Sequence, residues 1–194
     1  MEVNNSAKIG TMITFEKDDF YFLQILKRRK DNPEMEKDMV VIKNYYVESM
    51  DQYIKLIPRI ILLCQYENAR AYFRLNKRNY KKIGLQMIRR VADHISSGNN
   101  KAIKTAFDSI CGEYHSDTDK KWIVDIDSID NNINDVLFEL TNLQLQTEKE
   151  PMMEIIPTKN GVHIITRPFN LKKFRETFSG IDVHKDNPTI LYCP

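Results

Sequence analysis

The strongest constraint on the fold lies between Trp122 and Cys193, where short apolar runs and helix-spaced runs follow one another in a fixed order. Trp122-Ile123-Val124-Asp125-Ile126-Asp127 has the length and β-branched content of a strand. Ile133, Val136, Leu137, Leu140 and Leu143 then recur at helical spacing. Residues 152–156 and 162–166 read as strands on either side of Lys159-Asn160-Gly161, a hairpin signal because Asn-Gly accepts positive φ. Residues 171–178 read as a helix that Ser179-Gly180 breaks, and residues 189–193 form a closing strand. Strand, helix, strand, strand, helix, strand is the order of a βαββαβ sheet.

The first half is less regular. Residues 12–29 are apolar enough for either a strand or a short buried helix, and residues 27–37, charged and carrying Asn32-Pro33, read as a solvated loop. Val40-Val41-Ile42 looks like a strand. Met50, Tyr53, Ile54 and Ile57 have helical spacing and stop at Pro58, where a helix is expected to end. Residues 60–65 and 69–75 read as a β-hairpin around Tyr66-Glu67-Asn68. Leu85, Ile88, Val91, Ala92 and Ile95 mark a clear helix closed by residues 96–100, and a shorter helix follows over 101–111 with Ile103, Ala106, Phe107 and Ile110 as its stripe.

A chain of 194 residues is expected to fold as one core, an N-terminal αβ unit over about 1–115 and a second unit over 116–194. Hydrophobic residues at 42% and charged residues at 29% suit a folded globular protein, and a net charge of +2 argues neither for nor against a polyanionic partner. No apolar run is long enough to span a bilayer, and residues 1–10 lack the order of a secretory signal, so the chain reads as cytoplasmic with no membrane partner. Cys64, Cys111 and Cys193 are far apart with no Cys-x-x-Cys pair, which points to free thiols rather than a zinc site.

Asp125 and Asp127, two apart on a strand, share one face while Val124 and Ile126 take the other. Adjacent carboxylates repel, and a hard cation such as Mg²⁺ or Mn²⁺ relieves that repulsion. A strand end running into a solvated acidic loop, Asp127 to Asp130, would carry the same pair. His163 follows the turn with Thr158 and Lys159 before it, which suits either a phosphate cradle or an ordinary hairpin beside a half-buried histidine. Asp182 and His184 come after Gly180 and ahead of the closing strand. The acid pair, the turn with its histidine and the third acid thus fall on successive strands of one expected sheet.

These residues carry a resemblance. Residues 122–127 resemble the first motif of the archaeo-eukaryotic primase superfamily, apolar residues followed by Asp-x-Asp; 158–165 resemble the second, a small-residue turn leading to a histidine; and 180–182 resemble the third, an acid ahead of a closing strand. Residues 70–78 resemble the Tyr-Phe-x-x-Asn-x-Arg stretch of small phage-type members. Lys159 departs from the pattern, standing where a second glycine is usual. The resemblance implies an α+β protein, an N-terminal αβ unit against an RRM-like antiparallel sheet with the active site in the cleft between them. It implies a primase-polymerase nucleotidyltransferase acting in DNA replication, with Asp125, Asp127 and Asp182 holding Mg²⁺ or Mn²⁺ and His163, Lys159, Thr158, Lys77 and Arg78 binding the nucleotide. The implied partners are nucleoside triphosphates, single-stranded DNA or primer-template, and a separate helicase. Two rival readings stand beside it: a non-catalytic RRM-like module that binds nucleic acid through its sheet face and the basic residues near 70–90, with Tyr72 and Phe73 stacking on bases, and a metal-dependent nuclease built from the same acids.

Overall fold

Strand β2 (Asp19–Arg28) is covered on both faces, which is why its sequence does not declare itself. The computed structural model describes residues 2–115, 119–127, 133–145 and 152–194. Tyr21, Leu23 and Ile25 belong to a core shared with α1 (Ser6–Met12) and α2 (Met50–Glu67). Phe20 and Phe22 turn the other way, against α3 (Tyr80–Ser96) and α4 (Ala106–Glu113). A strand buried on both sides carries apolar residues at consecutive positions, so the period-two signature that separates strand from helix is lost.

Among the described residues there are two antiparallel sheets and six α-helices, an α+β architecture. The first sheet runs β1 (Val3–Asn4), β10 (Thr189–Cys193), β4 (Arg70–Phe73), β2 and β3 (Met39–Val47), with β5 (Arg78–Asn79) also paired to β2. The second contains β6 (Trp122–Ile126), β7 (Met153–Pro157), β8 (Val162–Thr166) and β9 (Asp182–His184), in the order β7-β8-β6-β9. Val124, Ile126 and Ile164 pack beneath α5 (Ile133–Leu145) and α6 (Leu171–Thr177). On the opposite face Ile123, Ile156 and Ile165 join the core of the first sheet. No helix among the described residues is long and apolar enough to cross a membrane. All three cysteines are buried free thiols.

Several expectations are corrected. The closing strand 189–193 does not complete the second sheet; β9 does that, and β10 crosses back to lie between β1 and β4 of the first. The boundary at 115/116 therefore does not separate the two sheets. Helix α2 does not stop at Pro58 but runs through it to Glu67, and residues 60–65 are helical rather than one arm of a hairpin. Proline inside a helix costs about 3 kcal/mol, but Pro58 lies on the exposed side while Tyr53, Ile60 and Cys64 form a buried stripe that continues past it. Asn68, expected in a hairpin loop, is instead the left-handed C-cap of α2, with φ 47° and its N–H directed to Cys64 and Gln65 carbonyls. The helix expected over 101–111 is a 3₁₀ segment, Asn100–Thr105, followed by α4.

The crossing of β10 is fixed by a buried polar cluster. Asp186, in the link between β9 and β10, receives the Arg78 guanidinium at 2.6 Å and that of Arg74 at 3.3 Å. Arg78 is fully buried and also donates to the carbonyls of Cys111 and Asn76. The Asn76 side chain donates to Asp186 Oδ1 and to the carbonyls of Lys121 and Lys185, and it accepts from Lys121 N at 2.6 Å. One cluster thus ties the β4–β5 connection to both the start of β6 and the β9–β10 link. Removing one partner of a buried ion pair leaves the other charged and unpaired, at a cost of about 3–5 kcal/mol. Asp186→Ala is expected to lose stability on that scale, read as a fall in the urea midpoint, whereas removal of the exposed Asp38, 3.7 Å from Arg29, is expected to change it by less than about 1 kcal/mol.

Candidate functional site

A cleft of about 380 Å³ opens where the two sheets meet. The second sheet contributes Asp125, Asp127, His163 and His184; the first contributes Arg28, Arg70 and Tyr72, with Lys30 just beyond the end of β2. The turn between β7 and β8 closes one side with Thr158, Lys159 and Asn160.

The register of the second sheet places the acids. Asp125 on β6 lies directly across from His163 on β8 and directly across from Asp182 on β9. Residues paired in this way on antiparallel strands point to the same face, and Asp127, just beyond the end of β6, lines the same cleft as Asp125. His184, paired with Ile123, joins them. Of the four candidates expected to converge from separate segments, Asp125, Asp182 and His163 therefore stand on one face of one sheet, and Asp127 follows at the end of β6. Asp182 is exposed and lies beside the cleft, outside its lining; Asp127 is exposed and within the lining.

Asp125 is the most constrained of the acids. Its Oδ1 is 3.3 Å from His163 Nε2 and its Oδ2 is 3.9 Å from His184 Nε2. The imidazole of His163 alongside holds the Asp125 carboxyl below the ordinary carboxylate range against the opposing effect of burial, and the charges of His184 and Lys30 add to it. At 3.3 Å the His163 contact is longer than a well-formed charge-assisted bond, and Oδ1 is a buried acceptor with no hydrogen-bond partner. The other ring nitrogen of His163, Nδ1, is 2.9 Å from Thr189 Oγ1 on β10, so the first sheet anchors this imidazole.

Carboxylate oxygens are the ligand type a hard divalent cation takes, and three carboxylates stand in this region: Asp125, whose Oδ1 lacks a hydrogen-bond partner, Asp182 directly opposite it, and Asp127 in the cleft lining. Like charges placed opposite each other destabilise a sheet unless something neutralises them. Among the described residues no three His, Cys, Asp or Glu side chains are gathered closely enough to form a ready-made metal cluster.

Basic groups crowd the opposite wall. Burial lowers the pKa of Lys30, the positive charges of Arg70 and Arg28 lower it further, and Asp31 and Asp127 oppose the shift. Arg28 donates to the Tyr72 hydroxyl at 3.1 Å. Arg70 makes a two-pronged contact with Asp31 at 2.6 and 2.7 Å, and Lys159 reaches the same carboxylate at 3.0 Å, bridging the two sheets. Burial pushes the Asp31 carboxyl up, but hydrogen bonds from Arg70 and Lys159 outweigh it and bring it down to about 2.

The turn differs from the expected one. Neither Asn160 nor Gly161 adopts positive φ. Gly161 is required for close approach instead: a Cβ built there would sit 1.9 Å from the Ile126 carbonyl oxygen and 3.1 Å from the Cα of Asp127. Two of the turn's amides are consumed in closing it, Thr158 N to Gly161 O at 2.9 Å and Gly161 N to Thr158 Oγ1 at 3.0 Å. The Thr158 hydroxyl thus holds the turn shut.

Lys77 and Arg78, expected at the nucleotide, do not line the cleft. Lys77 is buried between Asp19 at 2.8 Å and Glu16 at 3.0 Å, and Arg78 is committed to the cluster around Asp186. Their partners are distant in the chain: Asp186 lies more than a hundred positions from Arg78. Conversely, Arg28 and Lys30 were assigned to a solvated loop. Their spacing of two at the end of an apolar strand is the signal that places both on one face. The rest of the loop expected after Asp127, residues 128–130, lies outside the described residues.

Comparison with protein-family models, with curated proteins and with solved structures finds no match to this chain.

Two outcomes follow from the geometry. Gly161→Ala is expected to force the turn away from the end of β6, lowering the thermal midpoint by the equivalent of about 1–3 kcal/mol of overpacking. Asp31 titrates at about 2 in the fold against an ordinary 3.8. A depressed carboxyl stabilises the fold fully above its ordinary value and loses that contribution as pH falls through the folded value. The stability gap between wild type and Asp31→Asn should therefore be constant above roughly pH 5 and shrink toward roughly pH 2, measured by urea unfolding across that range.

Proposed function

We propose that this protein is a metal-dependent nucleotidyltransferase of the primase-polymerase type, adding nucleotides to a 3′-hydroxyl on a nucleic-acid template. The observation that carries the proposal is the row His163, Asp125, Asp182 across three adjacent strands, with Asp127 in the lining of the cleft and cations on the facing wall. Acids grouped against bases across a cleft suit a ligand that brings both a hard cation and a polyphosphate. The order β7-β8-β6-β9, with α5 and α6 on the far face, supports reading the second sheet as RRM-like and the cleft as catalytic.

On this reading Asp125, Asp127 and Asp182 hold Mg²⁺ or Mn²⁺. Such a cation, when bound, lowers the pKa of the attacking hydroxyl and neutralises charge on the transferred phosphoryl group. Arg28 and Lys30 receive the triphosphate. His163, held from behind by Thr189, presents its imidazole beside Asp125 as a phosphate contact whose position the sheet junction fixes. Lys159, tied to Asp31, closes the rim of the cleft and steadies the turn. Thr158 acts through the turn it closes. Lys77 and Arg78 have no place in this site.

The test is incorporation of labelled nucleotide on a primed single-stranded template with Mg²⁺ or Mn²⁺. Asp125→Asn with Asp127→Asn is expected to reduce incorporation by roughly a hundredfold or more, the scale of losing a group that stabilises developing charge, with folding checked by circular dichroism. Incorporation that persists in the double variant removes these residues from the mechanism. Template breakdown without added nucleotide identifies a nuclease instead, and template binding without turnover identifies a binding module.

A further inference from the structure

Helix α3 carries apolar side chains on two opposite faces, and the fold uses only one. Ile83 is buried and Met87 packs with it against Phe20 and Phe22 of β2. On the other side Leu85, Ile88, Ala92 and Ile95 follow at intervals of three, four and three, the repeat with which one helix seats against another. Leu85, Ile88 and Ile95 are 56%, 70% and 59% exposed, and the row runs roughly 15 Å along the helix. Single exposed aliphatic residues need no explanation, whereas a continuous line of them marks a surface that is covered in use.

The rim of this row carries two cations, with Asp93 the exposed acid farther round the same side. A groove of about 280 Å³ beside it is lined by Lys82, Leu85, Gln86, Arg89, Tyr114 and His115. Arg90, on the inner side, is spent on Glu113 at 2.6 Å. Lys82 and Arg89 flank the row on one side, one helical repeat apart. Among the described residues neither forms an ion pair. None of these residues lines the cleft between the sheets.

We infer that this face of α3 docks an acidic amphipathic helix of another protein, whose apolar residues cover Leu85, Ile88 and Ile95 while its carboxylates meet Lys82 and Arg89. The charge pattern selects this occupant. A second copy of the same helix, laid antiparallel about the middle of the row, would set Arg89 against its own counterpart, and like charges there oppose pairing. A nucleic acid would satisfy the cations but leave an aliphatic row with no base to stack on, since stacking needs π-faces. An acidic helix satisfies both features in the helix-in-groove mode. This inference does not rest on the nucleotidyltransferase reading.

The probe is a synthetic helical peptide with leucine at the three-four repeat and glutamate on its flanks, fluorescently labelled and titrated with the full chain by anisotropy. Its twin carries lysine in place of each glutamate. The glutamate peptide is expected to bind at least about tenfold more tightly than the twin, with affinity falling as salt rises. Ile88→Glu should abolish binding, and Lys82→Glu with Arg89→Glu should reverse the preference between the two peptides. These positions are exposed, so the fold should persist, as circular dichroism would verify. Failure of the glutamate peptide to bind, equal binding of both peptides, or binding that survives Ile88→Glu overturns the inference. A wild-type dimer that Ile88→Glu disperses in sedimentation assigns the face to a second copy. Oligonucleotide binding lost in both variants assigns it to nucleic acid, and either result also overturns the inference.

Discussion

The buried guanidinium of Arg78 is the constraint on which the arrangement of the two sheets depends. A permanent charge with no exposed surface must be neutralised and fully hydrogen-bonded where it stands. Asp186 supplies the charge, and the carbonyls of Cys111 and Asn76 supply further acceptors. Because Asp186 sits in the link between β9 and β10, satisfying Arg78 fixes the point where the chain leaves the second sheet for the first. With β10 held between β1 and β4, the sheets are joined by a strand rather than by surface contacts alone. Asn5 reinforces the join, donating to Pro157 O on one side and Ile190 O on the other.

That join creates the cleft and decides what faces what. The second sheet offers carboxylates and imidazoles, while the first and its following loop offer guanidinium and ammonium groups. Neither wall alone brings the two sets of charges together. His163 lies at the seam, with one nitrogen toward Asp125 and the other toward Thr189. The nucleotidyltransferase proposal draws its force from this opposition of charges rather than from any one motif.

Much of the second sheet was legible because its strands are covered by helices on one face only. Val124 and Ile126 alternate with Asp125 and Asp127, and α5 shows its stripe plainly. The first sheet was harder to read. The apolar run of β2 has no alternation, since helices cover both of its faces, and Pro58 imitates a helix stop because its local penalty is visible while the buried stripe that outweighs it depends on the sheet behind. The turn at Lys159-Asn160-Gly161 was found for a reason other than the one that operates. Its glycine admits the Ile126 carbonyl, a contact between segments that local turn preferences do not encode.

The sequence by itself determined which residues share a strand face, since a two-residue spacing puts Val124 with Ile126 whatever lies around them. It also determined the order of elements in the second sheet as far as α6, because periodicity and turn chemistry are local. Only the tertiary structure decided the register that sets Asp182 and His163 against Asp125, the return of β10 to the first sheet, and the burial of Lys77 and Arg78 away from the cleft. Each of these depends on partners far apart in the chain. A charged side chain reads as solvated until the carboxylate that neutralises it is brought alongside.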